Sequence, residues 1–355
     1  MSKSHTDVLI IGAGLTGLVL AYLLQKKNLS VQILEARDRI GGRVYTKYLE
    51  GLPSIEMGST WLGRKHLALN ALLKEFDLGV FEQQLGDRAV YEPTSKSLHQ
   101  IVTLPPNTDP SFRIIGGSTA LIDTLKSKLG KSQIFLNQEV NLVQKDVQST
   151  VVTTSTDTFS ASYVVSTLPP NLFVKSIQVR PALPSVLIDV AKATHTWMGE
   201  SIKIGLAYRT PFWRNDLWSG TIMSNVGPIP EMYDHSNYPD TRFALKGFFD
   251  GSYHVVDREE RMALALEQLV KYFGAQVHDY VGYEECVWRR ERYTFIDYDG
   301  DVLPHQYGGH EVYQQTFLDG ALFIAGTETS TRFPGYMDGA VHSAKYVAAL
   351  IEHQM

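Results

Sequence analysis

The sequence has little cysteine, no marked excess of either charge and no long uninterrupted apolar run. Cys286 is the only cysteine among 355 residues, which excludes an internal disulfide or a cysteine metal cluster, and the 11 histidines show no metal-ligand spacing. Lys and Arg total 33 against 38 Asp and Glu, so no basic face for nucleic acid or a membrane surface is expected. We therefore expect small-molecule partners, no metal and a reducing, cytoplasmic location, with the oligomeric state left open.

The first 35 residues have the pattern of a dinucleotide-binding unit. Residues 7 to 11 are a short apolar strand, residues 15 to 23 have helical apolar spacing, and residues 31 to 34 form a second strand. Glu35 ends that strand, where a carboxylate can accept hydrogen bonds from an adenosine ribose. Between the first strand and the helix lies a turn that needs residues without a side chain, and Gly12, Gly14 and Gly17 supply them.

The remaining periodicities predict a Rossmann-like α/β domain with a second, reduced α+β domain built on a mixed sheet. Ser118 is a candidate N-cap of a helix, residues 134 to 168 read as an antiparallel meander, and residues 337 to 351 form a closing helix. We expect the first domain to be discontinuous, with residues 1–78, 113–193 and 290–355. The second domain would then hold residues 79–112 and 194–289.

Three further segments carry a family resemblance. Residues 35 to 43, Glu-Ala-Arg-Asp-Arg-Ile-Gly-Gly-Arg, resemble the segment after the second strand in amine oxidases, phytoene desaturases and protoporphyrinogen oxidases. Residues 323 to 329, Phe-Ile-Ala-Gly-Thr-Glu-Thr, and 334 to 340, Pro-Gly-Tyr-Met-Asp-Gly-Ala, resemble the closing FAD motif of monoamine and polyamine oxidases. The chain is thus identified as resembling the flavin-containing amine oxidases.

The resemblance implies residue roles. It places Lys203, on the strand that precedes Pro-Phe-Trp at 211 to 213, at the flavin N5, and it makes Tyr336 one wall of an aromatic cage. The second wall stays open between Tyr298, Phe295 and Tyr293. Independently, a period of two puts Lys203 on a face opposite to Ile202, Ile204 and Leu206. The cofactor-binding positions expected besides the glycine turn and Glu35 are Ala36, Arg37, Gly42, Arg43, Gly58, Ser59, Val140, Gly326, Glu328 and Met337.

The function implied is FAD-dependent oxidation of an amine carbon–nitrogen bond to an imine, with oxygen reduced to hydrogen peroxide. Asp297 stands where monoamine oxidases carry the cysteine that links the flavin, so we expect non-covalent FAD. Two alternatives remain at this point. One is an FAD-dependent carbon–carbon desaturase or oxidase, because the N-terminal signatures are shared, and the other is a flavin-binding protein without amine turnover.

Overall fold

The structure, a computed structural model, describes residues 5–130, 134–215 and 218–355, which form two large sheets and the helices packed on them. The helices are α1 (Leu15–Gln25), α2 (Leu67–Glu75), α3 (Thr119–Lys128), α4 (Pro170–Ser176), α5 (Ser185–Lys192), α6 (Arg258–Phe273) and α7 (Met337–Gln354). The strands are β1 (Thr6–Ile11), β2 (Val31–Leu34), β3 (Thr46–Lys47), β4 (Ile55–Glu56), β5 (Val80–Glu82), β6 (Arg88–Glu92), β7 (Gln100–Thr103), β8 (Phe112–Ile114), β9 (Ile134–Phe135), β10 (Val140–Lys145), β11 (Thr150–Thr154), β12 (Thr158–Ser166), β13 (Gln178–Arg180), β14 (Ile202–Tyr208), β15 (Ile222–Ser224), β16 (Glu231–Asp234), β17 (Phe243–Phe249), β18 (Gly282–Val287), β19 (Thr316–Phe317) and β20 (Leu322–Ile324).

The first sheet has a parallel centre and an antiparallel flank. Its path is β13-β10-β11-β12-β1-β2-β9, and β20 adds in parallel to the end of β12. Alternation along β1 buries both faces: Val8 and Ile10 contact the cluster formed with α1 and α7, and Leu9 and Ile11 contact the opposite cluster. A strand buried on both faces has a continuous apolar sequence, as residues 8 to 11 do.

The second sheet has the order β18-β14-β17-β16-β15-β6-β7. Its neighbouring strands are antiparallel except for β15 and β6, which are parallel. One face is covered by α6, whose buried side chains form an apolar cluster with Ile202, Ile204 and Leu206 of β14. The opposite face lies so close to β4 that a Cβ on Gly205 would stand 2.4 Å from Ile55. Glycine at this position therefore lets β14 approach the two-stranded sheet β3-β4.

The predicted fold class is confirmed, including the antiparallel meander β10-β11-β12 and the closing helix α7. Ser118 stands at the start of α3, but its hydroxyl donates to the Ser59 carbonyl oxygen (2.9 Å) rather than capping the helix. Strands β6 and β7, which lie in the segment 79–112 that was assigned to the second domain, join the second sheet. The domain boundaries themselves stay a prediction. Within the described residues, every helix is too short or too polar to cross a lipid bilayer.

Candidate active site

A cavity of about 530 Å³ lies between the two sheets and is lined by residues from both. At one end it begins at the turn after β1, and at the other it reaches β14, β16 and β17. The cavity brings together most of the residues that the sequence singled out, although they come from distant parts of the chain. Those lining it are Gly12, Gly14, Glu35, Ala36, Arg37, Gly42, Arg43, Gly58, Ser59, Val140, Lys203, Tyr336 and Met337.

The glycine turn leaves space for a ligand to lie close to the protein backbone. Gly14 lines the cavity, and a Cβ built on it meets no protein atom within 4 Å, so it would point into open space. Gly17 is different, because its Cβ would stand 2.1 Å from the Gly12 carbonyl oxygen, and it lies outside the lining. The buried Glu35 carboxylate accepts from the Ala13 N–H (2.9 Å) and the Arg37 N–H (3.0 Å). These bonds fix the carboxylate at the cavity wall beside the N-terminus of α1, a site suited to a dinucleotide.

Two predicted cofactor residues, Gly326 and Glu328, lie just behind the lining. The Glu328 carboxylate is 2% exposed and forms a two-pronged ion pair with Arg43, at 2.6 and 2.7 Å. Arg43 itself reaches the cavity and also donates to the Trp197 carbonyl oxygen (3.0 Å). Gly326 adopts φ +135°, which favours glycine, and its N–H donates to Ser343. Glu328 therefore contacts the cavity through Arg43.

Lys203 is the central polar group of the far end. Its ammonium nitrogen donates to the Gly58 carbonyl oxygen and lies 5.1 Å from the centre of the Phe248 ring. Burial lowers the pKa of Lys203 to about 8, and the negative charge of Glu56 partly offsets this shift by raising the pKa. Lys246 lies nearby, fully buried, and donates to the Thr60 hydroxyl (3.1 Å). Burial, reinforced by the positive charge of Lys203, holds the Lys246 pKa well below its usual range.

The aromatic rings at the cavity mouth differ from the sequence-based expectation. Tyr336, 38% exposed, has the Trp197 ring 5.8 Å away at an interplanar angle of 35°, and both line the cavity. Tyr298 lies outside the lining, and its hydroxyl accepts from the Thr196 N–H (2.8 Å). Of the alternatives weighed for the second wall, Tyr293 lines the cavity and Phe295 does not. The Tyr293 hydroxyl donates to the carboxylate of Glu139, the residue before Val140, and this contact places Tyr293 near the dinucleotide end of the cavity.

Comparison with protein families decides the assignment. Residues 15–103 and 94–352 match the family described as flavin containing amine oxidoreductase. The chain belongs to this family. It is 26% identical to putrescine oxidase of Kocuria rosea, over 97% of this chain and 94% of the relative. It is also 25% identical to the probable flavin-containing monoamine oxidase A of Dictyostelium discoideum, over 98% of each chain. The predicted flavin-dependent amine oxidation is thereby confirmed, and the carbon–carbon desaturase alternative is not favoured.

The fold agrees with solved amine oxidase structures. Putrescine oxidase bound to putrescine superposes with a TM-score of 0.86 at 24% identity, covering 99% of this chain and 100% of the other. Cyclohexylamine oxidase from Brevibacterium oxydans gives 0.84 at 21% identity, covering 98% and 99%. The alignment to the Dictyostelium relative runs over 454 residues against 355 in this chain. This amine oxidase therefore keeps the family fold with internal segments shortened.

The described residues of this amine oxidase fit FAD held without a covalent bond. The glycine turn, the fixed Glu35 carboxylate and the space beyond Gly14 suit a dinucleotide. Cys286 pairs with Lys203 across β14 and β18 but does not reach the cavity lining, and burial raises the pKa of its thiol to about 12. Asp297 is exposed and paired with Arg289, outside the cavity. Among the described residues, then, no thiolate stands where a flavin ring would lie.

The cavity residues that the sequence analysis did not predict include Trp197, Glu231 and Phe248. Phe248 and Glu231 lie beside Lys203 because β17 pairs with β14 and with β16, so that Lys203, Phe248 and Glu231 form one row across the sheet. The sequence offered one signal for Trp197, namely that it is an aromatic residue only six positions before Lys203. Strand pairing over such separations carries no comparable local signal, which explains the other two omissions.

Two glycine substitutions separate cofactor binding from folding. Gly14→Ala should leave the apoprotein's free energy of unfolding nearly unchanged, because the new methyl group meets no protein atom, but should weaken FAD binding at least about tenfold by filling cofactor space. Gly17→Ala should destabilise the apoprotein by about 1–3 kcal/mol, because its Cβ overlaps the Gly12 carbonyl oxygen. Urea denaturation of the apoproteins and flavin fluorescence titration measure the two effects. Equal loss of FAD affinity and stability in both variants would contradict the assignment of the turn.

Proposed function

We propose that this amine oxidase oxidises the carbon–nitrogen bond of a small amine that carries a second positive charge, using oxygen as electron acceptor. The observation that supports it most directly is the continuity of one cavity from the glycine turn to Lys203, Glu231 and Tyr336. A dinucleotide held at the turn would place its reactive ring at the end where these side chains converge. The single cysteine, Cys286, favours a cytoplasmic location for the enzyme.

The bound flavin supplies the redox chemistry: a hydride equivalent leaves the carbon beside the amine nitrogen, water hydrolyses the imine, and oxygen becomes hydrogen peroxide. The protein supplies position and charge. Lys203 is held in place by the Gly58 carbonyl oxygen, so its ammonium stays at the same point of the cavity through the reaction. A cation there stabilises negative charge that develops on oxygen as it is reduced.

We assign the orientation of the amine to Tyr336 and Trp197. Their rings stand 5.8 Å apart, are inclined by 35° and both border the cavity. The faces of aromatic rings attract cationic groups and offer an apolar channel to the neutral amine that reacts. Tyr298, whose hydroxyl is fixed by the Thr196 N–H, then serves to hold the loop that carries Trp197.

Glu231 gives the proposal its substrate class. Its side chain lines the cavity in the same row as Lys203 and Phe248, and one carboxylate oxygen accepts from the Tyr233 hydroxyl (2.7 Å). The other carboxylate oxygen can accept from a ligand. A carboxylate in a half-buried, largely aromatic wall favours a ligand ammonium. One of the relatives is a putrescine oxidase, which fits a diamine for this chain as well.

A peroxide assay on the purified holoenzyme tests this function. Putrescine should give amine-dependent hydrogen peroxide, and n-butylamine, which has the same carbon chain without the second amine, should give less at equal concentration. Peroxide formation from butylamine at the same kcat/KM would contradict the proposal that the enzyme recognises a second positive charge on its substrate. A yellow protein that forms no peroxide with any primary, secondary or polyamine would leave only flavin binding without amine turnover.

Lys203→Met should keep FAD bound and slow reoxidation of the reduced enzyme by oxygen at least about tenfold, because the cation near the reacting oxygen is lost. In the wild type the pKa of about 8 means that the ammonium form predominates below pH 8, so reoxidation should slow as the pH rises through that range. The variant should lack this pH dependence. Stopped-flow mixing of reduced enzyme with oxygen measures both, and Lys126→Met, at an exposed site on α3, is the control. A wild-type rate and pH profile in the Lys203 variant would remove this residue from the site.

Glu231→Gln should raise KM for putrescine by about tenfold or more and leave KM for n-butylamine nearly unchanged. The physical reason is the loss of one charge-assisted hydrogen bond, worth about 1.5–3 kcal/mol, which only the diamine can make. Steady-state peroxide kinetics on both substrates give the comparison. The same change in KM for both amines would mean that Glu231 shapes the cavity without recognising a second ammonium.

A further inference from the structure

A second cavity, of about 240 Å³, lies apart from the first and shares none of its lining residues. One wall comes from the segment around β3 and β4, including Leu52 and Glu56. The other comes from the two-stranded sheet β5-β8 and the loop between β16 and β17, including Phe81 and Tyr238. The amine oxidation described above makes no use of it. Its lining combines apolar side chains with two arginines, Arg113 and Arg242.

Arg113 is a buried cation with neutral partners. It is 7% exposed, and its guanidinium donates to the His235 ring nitrogen Nδ1 (2.8 Å) and to the Ser236 carbonyl oxygen, while Nε is buried without a hydrogen-bond partner. The centre of the Phe81 ring lies 4.5 Å from the guanidinium carbon. Burial lowers the pKa of Arg113 to about 10, because the charged form lacks solvation. A buried charge in this state gains free energy from an anion at the cavity.

Arg242 adds a second positive charge at the exposed rim. Its guanidinium donates to the Leu52 carbonyl oxygen (3.2 Å), which is again a neutral partner. Across the described residues, neither Arg113 nor Arg242 forms an ion pair with a carboxylate, and the nearby Asp234 is paired with Arg214 instead. Two guanidiniums without carboxylate partners therefore face one cavity.

The carboxylate that lines this cavity, Glu56, does not neutralise the two arginines. Glu56 is 4% exposed, and its two carboxylate oxygens accept from the Ser118 N–H (2.5 Å) and from the Thr46 hydroxyl (3.0 Å). Burial raises the pKa of Glu56, so its negative charge is disfavoured there. His235 faces the same cavity, and burial, together with the charge of Arg113, holds its pKa well below the usual range. With two guanidiniums against one carboxylate in its lining, the cavity has a net positive character.

We propose that the second cavity is a binding site for a small organic monoanion, a single carboxylate on a short apolar or aromatic body. The carboxylate would lie between Arg113 and Arg242, and the body would lie against Phe81, Tyr238 and Leu52. A volume of about 240 Å³ admits a molecule the size of benzoate and excludes a nucleotide. Arginine pairs with a carboxylate through two parallel hydrogen bonds, which gives the site its preference for this group.

Isothermal titration of the FAD-loaded enzyme with sodium benzoate, at constant ionic strength against sodium chloride, tests the proposal. The wild type should bind one benzoate per chain. Arg242→Gln should weaken the Kd about tenfold or more, because one charge-assisted contact is lost at an exposed side chain that folding does not need. Arg209→Gln, at an exposed arginine directly after β14 and outside the second cavity, should bind as the wild type does. Arg113→Met should abolish binding.

Because Arg113 is buried, its variant can fail to fold, and the Arg242 variant then carries the test alone. Unchanged benzoate affinity in Arg242→Gln would overturn the proposal, as would the lack of any binding to the wild type. Displacement of benzoate by putrescine would place the anion in the flavin cavity and also contradict it. Inorganic phosphate should bind more weakly than benzoate, since it lacks an apolar body, and equal affinity would refute the chemical class proposed.

Discussion

The buried ion pair between Arg43 and Glu328 is the interaction on which the rest of the site depends. It joins the segment after β2 to the segment after β20, and the Trp197 backbone binds both partners through its carbonyl oxygen (3.0 Å) and its N–H (3.2 Å). Three parts of the chain, separated by more than a hundred residues each, are thus fixed together at the cavity. Removing one partner would leave a buried charge unpaired, which typically costs about 3–5 kcal/mol. The same contacts hold Trp197 beside Tyr336 at the cavity.

Charge is distributed unevenly around this frame. Lys203 lines the far end of the cavity and Lys246 lies nearby, and burial lowers the pKa of both lysines. Glu231 is the carboxylate of that wall, and its negative charge favours the protonated form of each lysine. A cationic substrate group bound at Glu231, as proposed, would therefore compete with the lysines for this carboxylate. This competition gives amine binding and the protonation of Lys203 a common physical basis.

The sequence predicted those parts of the site whose geometry is local. The glycine turn, Glu35 and the start of α7 each lie within one contiguous motif, where residue type and backbone conformation are coupled directly. Lys203 was placed correctly on its strand face by a period of two, although its role at the flavin stays a proposal. Glu231 could not be predicted, because it meets Lys203 only through the pairing of β14, β17 and β16. Trp197, rather than Tyr298, stands beside Tyr336 because Arg43 and Glu328 hold its backbone there.

The measurement that tests the central claim most directly is anaerobic mixing of the purified yellow holoenzyme with putrescine, followed by absorbance. The account predicts that the oxidised flavin band bleaches completely, with one amine consumed per flavin, and returns when oxygen is admitted. Bleaching by dithionite but by no amine would contradict it, because the cavity would then hold a flavin that its lining residues do not connect to amine oxidation.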